Sequence, residues 1–161
     1  MLEELHIRNY ALIDTLSIRF TKGLTILSGE TGAGKSILVG ALGMVLGAKV
    51  TGDVIRTGAE EAEVTAIIRT EGNREAEDWL KLRDIADEEG SIILRRILRR
   101  NGRGASYIQH VPVTLGDLQE FTSLLVDLHG QHEHQSLFHE ENHRKFLDRF
   151  AGISDRVEAF Y

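Results

Sequence analysis

Residues 29 to 36 read Gly29-Glu30-Thr31-Gly32-Ala33-Gly34-Lys35-Ser36, a complete G-x-x-x-x-G-K-S stretch. It constrains the fold more than any other stretch, because a strand must lead into it and a helix must leave it. Gly29, Gly32 and Gly34 let the backbone wrap around phosphate with no side chain in the way. Backbone N–H groups and the first turn of the following helix then face the phosphate oxygens. Lys35 is the expected contact to the β and γ phosphates of a nucleoside triphosphate, and the Ser36 hydroxyl is the expected magnesium ligand. The bland alternative, a glycine turn that happens to precede lysine, arises in about one chain per few hundred of this length at average glycine usage.

The flanks fit that demand. Leu24 to Leu27 is a short apolar run that predicts a strand entering the loop. Ile37, Leu38, Ala41, Leu42, Val45 and Leu46 recur at the spacing of one helical face, and Gly47 is a stop signal. Gly40 and Gly43 each weaken such a helix by about 1 kcal/mol relative to alanine, so close packing against another backbone is expected there. Upstream, Leu5 and Ile7 alternate with polar residues, as do Leu16, Ile18 and Phe20. Downstream, Ala62 to Arg69 alternates as a strand, and Glu75 to Glu89 is a charged stretch that suits a surface helix. Ile92 to Arg100 and Arg103 to Gln109, joined by Asn101-Gly102, predict a hairpin. Pro112 is a break, Thr114 to Phe121 a short helix, and Leu124 to Val126 a buried-strand candidate. The tail from Glu140 is helix-compatible. The expected class is α/β, a mixed sheet with an antiparallel hairpin portion beside the nucleotide-binding part.

A length of 161 residues suits one domain, or one with a small appended lobe. The absence of cysteine excludes disulfides and thiolate metal sites. No run approaches the length of a membrane span, and Glu3-Glu4 interrupts any secretory pattern at the start. The net charge of -6 argues against nonspecific nucleic-acid binding by the whole surface. It leaves room for a local patch, and Arg95, Arg96, Arg99, Arg100 and Arg103 concentrate positive charge near the middle. On a regular strand these arginines do not all face one way.

Hydrolysis needs a magnesium-side acid and a group that positions water, normally from nearby strand ends. Asp127, after the apolar run 124–126, is one candidate acid, with an ordinary strand-end or capping role as its alternative. Gln131 lies just beyond it. His129, His132, His134 and Glu133 supply metal-ligand chemistry, but their spacing does not reproduce H-E-x-x-H.

Three further stretches join the phosphate loop: Leu5-His6-Ile7-Arg8-Asn9-Tyr10, Ile55-Arg56-Thr57-Gly58-Ala59, and the run from Leu125 to Gln135 containing Gly130-Gln131-His132-Glu133-His134-Gln135. Together they resemble the amino-terminal head segment of the RecN family, bacterial DNA-repair ATPases related to SMC and ABC-type proteins. The resemblance covers essentially the whole chain. It implies an ABC/SMC-like half-head over residues 1–135, and from 136 to 161 the start of a helical lobe leading toward a coiled coil. It implies that Gln131 is the Q-loop residue, at magnesium or its water, a task an amide oxygen suits. It places Arg56, in the family's I-R-x-G segment, at the phosphates, and Arg8 and Asn9 at a turn near the nucleotide.

The expected ligands are therefore ATP and Mg2+, with Gly29 to Ser36 cradling the phosphates and Ser36 and Gln131 on the metal side. The sequence departs from the family at Gln109-His110, where Asn-Gly is common. It also lacks an L-S-G-G-type signature and an apolar strand ending in Asp-Glu after the Q-loop. The implied partners are accordingly a missing carboxyl-terminal half-head, an opposing head of a homodimer, and DNA for the intact protein. The implied location is cytoplasmic and nucleoid-associated, with no membrane partner. Two alternatives stand beside this: a self-sufficient P-loop kinase or NTPase using Asp127, and a nucleotide-controlled interaction module without turnover.

Overall fold

The computed structural model describes residues 1–29, 34–126, 147, 150 and 151. Six strands form one sheet in the order β2-β1-β3-β4-β5-β6, and every pairing is antiparallel. They are β1 (Leu2–Tyr10), β2 (Ile13–Arg19), β3 (Glu61–Arg69), β4 (Ser91–Arg99), β5 (Gly104–Ile108) and β6 (Val111–Val113). Among residues 1–126 as described, they are accompanied by the α-helices α1 (Gly34–Val45), α2 (Arg74–Lys81) and α3 (Leu115–Ser123) and a short 3-10 turn at Gly52–Val54. Residues 1–126 form one compact unit and 127–161 another, of which only Leu147, Phe150 and Ala151 are described.

Alternation decides which face is covered. Ile7, Val64 and Arg96 stand side by side across β1, β3 and β4. With Leu5, Ala66, Ile68, Ile92, Leu94 and Ile108 they make a buried layer under α1. The opposite face carries Arg8, Glu63, Thr65, Arg95 and Tyr107, and no helix among the described residues packs on it.

The hairpin read from Asn101-Gly102 is present as β4 and β5, with Gly102 at φ +78 as such a turn requires. Pro112 sits in a short edge strand, where a missing N–H donor costs no ladder bond. The predicted helix near residue 114 is α3, started by a capping box between Thr114 and Asp117. Those bonds, with Arg83 nearby, hold the Asp117 carboxyl below its ordinary pKa. The charged stretch contains α2, whose Trp79 and Leu80 are buried. Trp79 packs on Phe121 of α3 with ring centroids 4.8 Å apart and donates from Nε1 to Glu120 at 2.9 Å.

Two predicted strands are not strands. Leu24 to Leu27 has no regular structure, with Leu24 89% and Ile26 76% exposed. A lone apolar run lacks a ladder unless a neighbouring backbone supplies one, and no strand of the described sheet lies beside it. Leu124 to Val126 instead unwinds from the end of α3, the N–H groups of Leu125 and Val126 bonding back to Thr122.

Candidate nucleotide site

The strongest local constraint on the site is α1. It begins at Gly34, carries no acidic residue in its first turn, and leaves Gly34 and Ser36 exposed. A Cβ built at Gly34 would meet nothing within 4 Å. A helix start with a lysine and a hydroxyl, and no carboxylate in its first turn, fits a phosphate chain. The Lys35 ammonium donates to the carbonyl of Gly29, the first residue of the motif. Glu30, Thr31, Gly32 and Ala33 lie outside the described residues, as do Asp127, the histidine-rich run and Gln131. Within the described residues, no group of three or more His, Asp or Glu side chains is placed to hold a metal ion. Of the two expected magnesium ligands, Ser36 lies among the described residues and Gln131 does not.

The far end of α1 is fixed by the protein's own chemistry. Gly47 adopts φ +102, and the N–H groups of Gly47 and Ala48 bond the carbonyls of Met44 (3.1 Å) and Gly43 (2.9 Å). This paired closure is a Schellman ending. Arg96 Nη1 adds donors to the carbonyls of Met44, at 2.7 Å, and Ala48. A buried cation at the negative end of the helix offsets its dipole, while desolvation lowers the Arg96 pKa. From α3, Thr122 Oγ1 donates to Leu46 O at 2.8 Å and Gln119 Nε2 to Gly47 O at 2.7 Å. The helix that starts at the phosphate loop is thus held at its tail by a strand and another helix.

Halfway along, Gly40 lies under Tyr10. A Cβ there would sit 2.9 Å from the Tyr10 hydroxyl, so the close approach is to a side chain and not to another backbone. Burial, with a smaller contribution from Asp53, raises the Tyr10 pKa. Gly43 has only an ordinary contact, at 3.7 Å to Ala48.

Tyr10 also pairs with Ile55, and this tie brings two candidate stretches together. Asn9 has φ +53, and its carbonyl accepts the Arg56 N–H at 2.9 Å. The Arg56 guanidinium donates to Leu12 O at 2.7 Å. Arg8 is placed elsewhere: it pairs with Glu63 (2.9 Å) and Glu61 (3.4 Å) on the face away from α1. The arginine-rich hairpin splits in the same way. Arg95 stacks over Tyr107 at 4.6 Å and Arg99 pairs with Glu61 at 3.2 Å, while Arg96 points under α1. No single stripe forms.

The sequence reading missed Arg96 as an anchor. Its signal was parity: in Ile92, Leu94, Arg96, Leu98 an arginine occupies a core position of a strand.

Comparison with known proteins agrees with this geometry. A family described as AAA domain matches residues 4–160, and the chain belongs to that family. In sequence it is similar to the amino-terminal head segment of bacterial RecN. It is 50% identical over 161 residues to the DNA repair protein RecN of Treponema pallidum, covering 99% of this chain and 28% of that protein. The RecN of Halalkalibacterium halodurans is 43% identical over 152 residues, covering 94% of this chain and 27% of that protein. The chain therefore spans little more than a quarter of the relatives it matches.

In fold it is similar to SMC heads. The head domain from Thermotoga maritima superimposes with a TM-score of 0.56 at 24% identity, covering 74% of this chain and 41% of that one. A structure from work on ATP-driven dimerization and DNA-stimulated activation of SMC ATPases gives a TM-score of 0.61 at 23% identity, covering 76% of this chain and 78% of that one. The α/β half-head and the RecN-family resemblance both hold, and the match supports nucleotide binding in general terms. No helix among the described residues is long and apolar enough to cross a membrane.

Proposed function

We propose that this chain is the ATP–magnesium-binding half of a RecN-like DNA-repair ATPase head, and that hydrolysis to ADP and phosphate requires a carboxyl-terminal half-head and an opposing head. The observation that carries this reading is the exposure of Leu24, Ile26 and Leu27 directly before the phosphate loop. A segment with strand-like composition, no ladder and exposed apolar side chains is what remains when a neighbouring strand belongs to another part of the protein. Exposed Val39 on α1 extends the apolar surface near that loop's own helix.

On this reading residues 29–36 wrap the phosphates, Lys35 exchanges its Gly29 bond for phosphate oxygens, and Ser36 and Gln131 hold magnesium. Bound magnesium would neutralise charge on the β and γ phosphates as the terminal bond breaks. Arg56 faces the phosphates, with Asn9 shaping the turn beside it. Arg8 supports the sheet rather than the ligand. Residues 1–135 make the half-head and 136–161 begin the helical lobe. Closure of two heads around ATP would complete a charged site and move attached coiled coils and DNA-associated surfaces. A cytoplasmic, nucleoid-associated setting follows from that role.

The test compares ATP binding and turnover by the chain before and after adding the carboxyl-terminal half-head. Binding without turnover, followed by turnover on addition, is expected. Full turnover by the chain alone refutes the incomplete-site reading. Lys35→Ala, with folding retained, is expected to abolish ATP binding, and unchanged binding refutes the assignment of the loop.

A further inference from the structure

The segment bearing Arg56 is gripped from two sides, and only one of them belongs to the amino-terminal turn. Residues 56–59 form a tight turn in which the Ala59 N–H bonds Arg56 O at 3.0 Å and Gly58 takes φ +89. That geometry is stable only with glycine or a similarly permissive residue at the third position. On one side the turn is tied to β1 through Asn9 O and to the β1–β2 turn through Leu12 O. On the other it meets the end of the β4–β5 hairpin. There the Arg100 N–H bonds Glu60 O at 3.0 Å, its Nε donates to Ala59 O, and its Nη2 reaches Arg56 O at 3.4 Å. One planar guanidinium thus holds the first and last carbonyls of the turn, a fork geometry that lysine cannot copy.

The choice of acceptors matters. Arg100 and Arg56 both donate to main-chain carbonyls, and neither makes an ion pair among the described residues. The adjoining Arg8 and Arg99 behave otherwise: both meet carboxylates. Carbonyls orient a guanidinium without cancelling its charge. One oriented cation on the turn and a second at the hairpin end that grips it, neither paired with a carboxylate among the described residues, make this corner favourable to a polyanion beside Arg56.

We infer that Arg100 is a positioning residue for triphosphate binding: it locks the turn 56–59 so that Arg56 is presented in one orientation. This rests on the reading that residues 29–36 and Arg56 hold the triphosphate. Arg100 need not touch the nucleotide, and its effect passes through Arg56.

A double-mutant cycle separates that role from simple structural support. ATP–magnesium affinity is measured by anisotropy of a fluorescent ATP analogue for the chain and for Arg56→Ala, Arg100→Ala, Arg100→Lys, Arg103→Ala and the Arg56→Ala/Arg100→Ala pair, with thermal midpoints alongside. Arg100→Ala is expected to weaken binding by about fivefold to tenfold, the worth of one or two lost positioning bonds. Arg100→Lys is expected to fall between it and the parent, because one ammonium cannot hold both carbonyls, and Arg103→Ala to leave affinity unchanged. The pair is expected to bind as Arg56→Ala does, since nothing remains for Arg100 to orient.

Unchanged affinity in Arg100→Ala, or losses that multiply in the pair, overturns the inference. If alanine unfolds the chain, Arg100→Gln and Arg100→Lys carry the same cycle, with the same two refuting results. Lys35→Ala distinguishes the two levels of failure. A parent that binds, a Lys35→Ala that does not, and an Arg100 series without effect refute the clamp alone. A parent that fails to bind, or a Lys35→Ala that binds normally, refutes the phosphate-loop reading and the clamp with it.

Discussion

Replacing Gly47 by alanine attacks the tail of the phosphate-loop helix at a point where two costs can be separated. The backbone there has φ +102, which a Cβ makes unfavourable by about 1–2 kcal/mol. The new methyl would also stand 2.6 Å from Gln119 Cγ and 3.4 Å from Gln119 Cα and N. Relieving such overpacking typically costs about 1–3 kcal/mol. The sum, about 2–5 kcal/mol, lowers the urea midpoint by about 1–2.5 M for a slope near 2 kcal/mol/M. Chemical denaturation followed by Trp79 fluorescence reads this directly, since Trp79 is buried against Phe121 of α3.

Repeating the substitution in a Gln119→Ala background removes the flexible Cγ but leaves the backbone atoms. The loss caused by Gly47→Ala is then expected to shrink to about 1–2 kcal/mol, giving a coupling of about 1–3 kcal/mol. The bond from Gln119 Nε2 to Gly47 O is absent from both legs of that comparison and cancels. Equal losses in the two backgrounds would refute the close approach of α3 to the end of α1. A loss below about 1 kcal/mol in the parent would refute the left-handed ending itself.

Two further outcomes follow from the same packing. Arg96→Met should destabilise the chain by about 1.5–3 kcal/mol, the usual worth of hydrogen bonds from a charged group, measured as a fall in denaturant midpoint. No change would remove Arg96 as the anchor of α1. Glu3 is bonded to Arg69 at 2.7 Å and to Ser91 at 3.1 Å, and these contacts hold its pKa below the ordinary 4.5. A depressed carboxyl contributes stability that is present above pH 4.5 and lost as pH falls through its folded value. Glu3→Gln should therefore lower the thermal midpoint at neutral pH and converge with the parent in acid, whereas a constant difference across pH would refute the ionic contribution.

How much of this was legible depended on where each residue's partner lies in the chain. The hairpin at Asn101-Gly102 and the cap at Thr114 were readable because their partners are within a few residues. Alternation in β3 was readable because burial on one face leaves a period of two. Leu24 to Leu27 and Leu124 to Val126 were misread as strands for one shared reason. Apolar composition suits a strand, but says nothing about whether a neighbouring backbone supplies the ladder. In the site, the phosphate loop was explicit in the residue pattern. Arg96 and Arg100 were visible only as part of an arginine cluster, because their acceptors are main-chain carbonyls 52 and 41 residues away. A carbonyl leaves no mark in a sequence.

The strand order carries a mechanical consequence. The connection that bears the phosphate loop and α1 leaves β2 at Arg19, opposite Glu4 of β1, and re-enters the sheet at β3 beyond Glu63, opposite Arg8. Its two ends therefore sit on either side of β1 and toward opposite ends of that strand. They are separated along β1 by roughly 14 Å or more. Opposed pulls on those two ends, along β1, would load β2 and β3 in opposite directions across the strand between them. That is shear, in which the bonds on both edges of β1 resist together instead of parting one at a time.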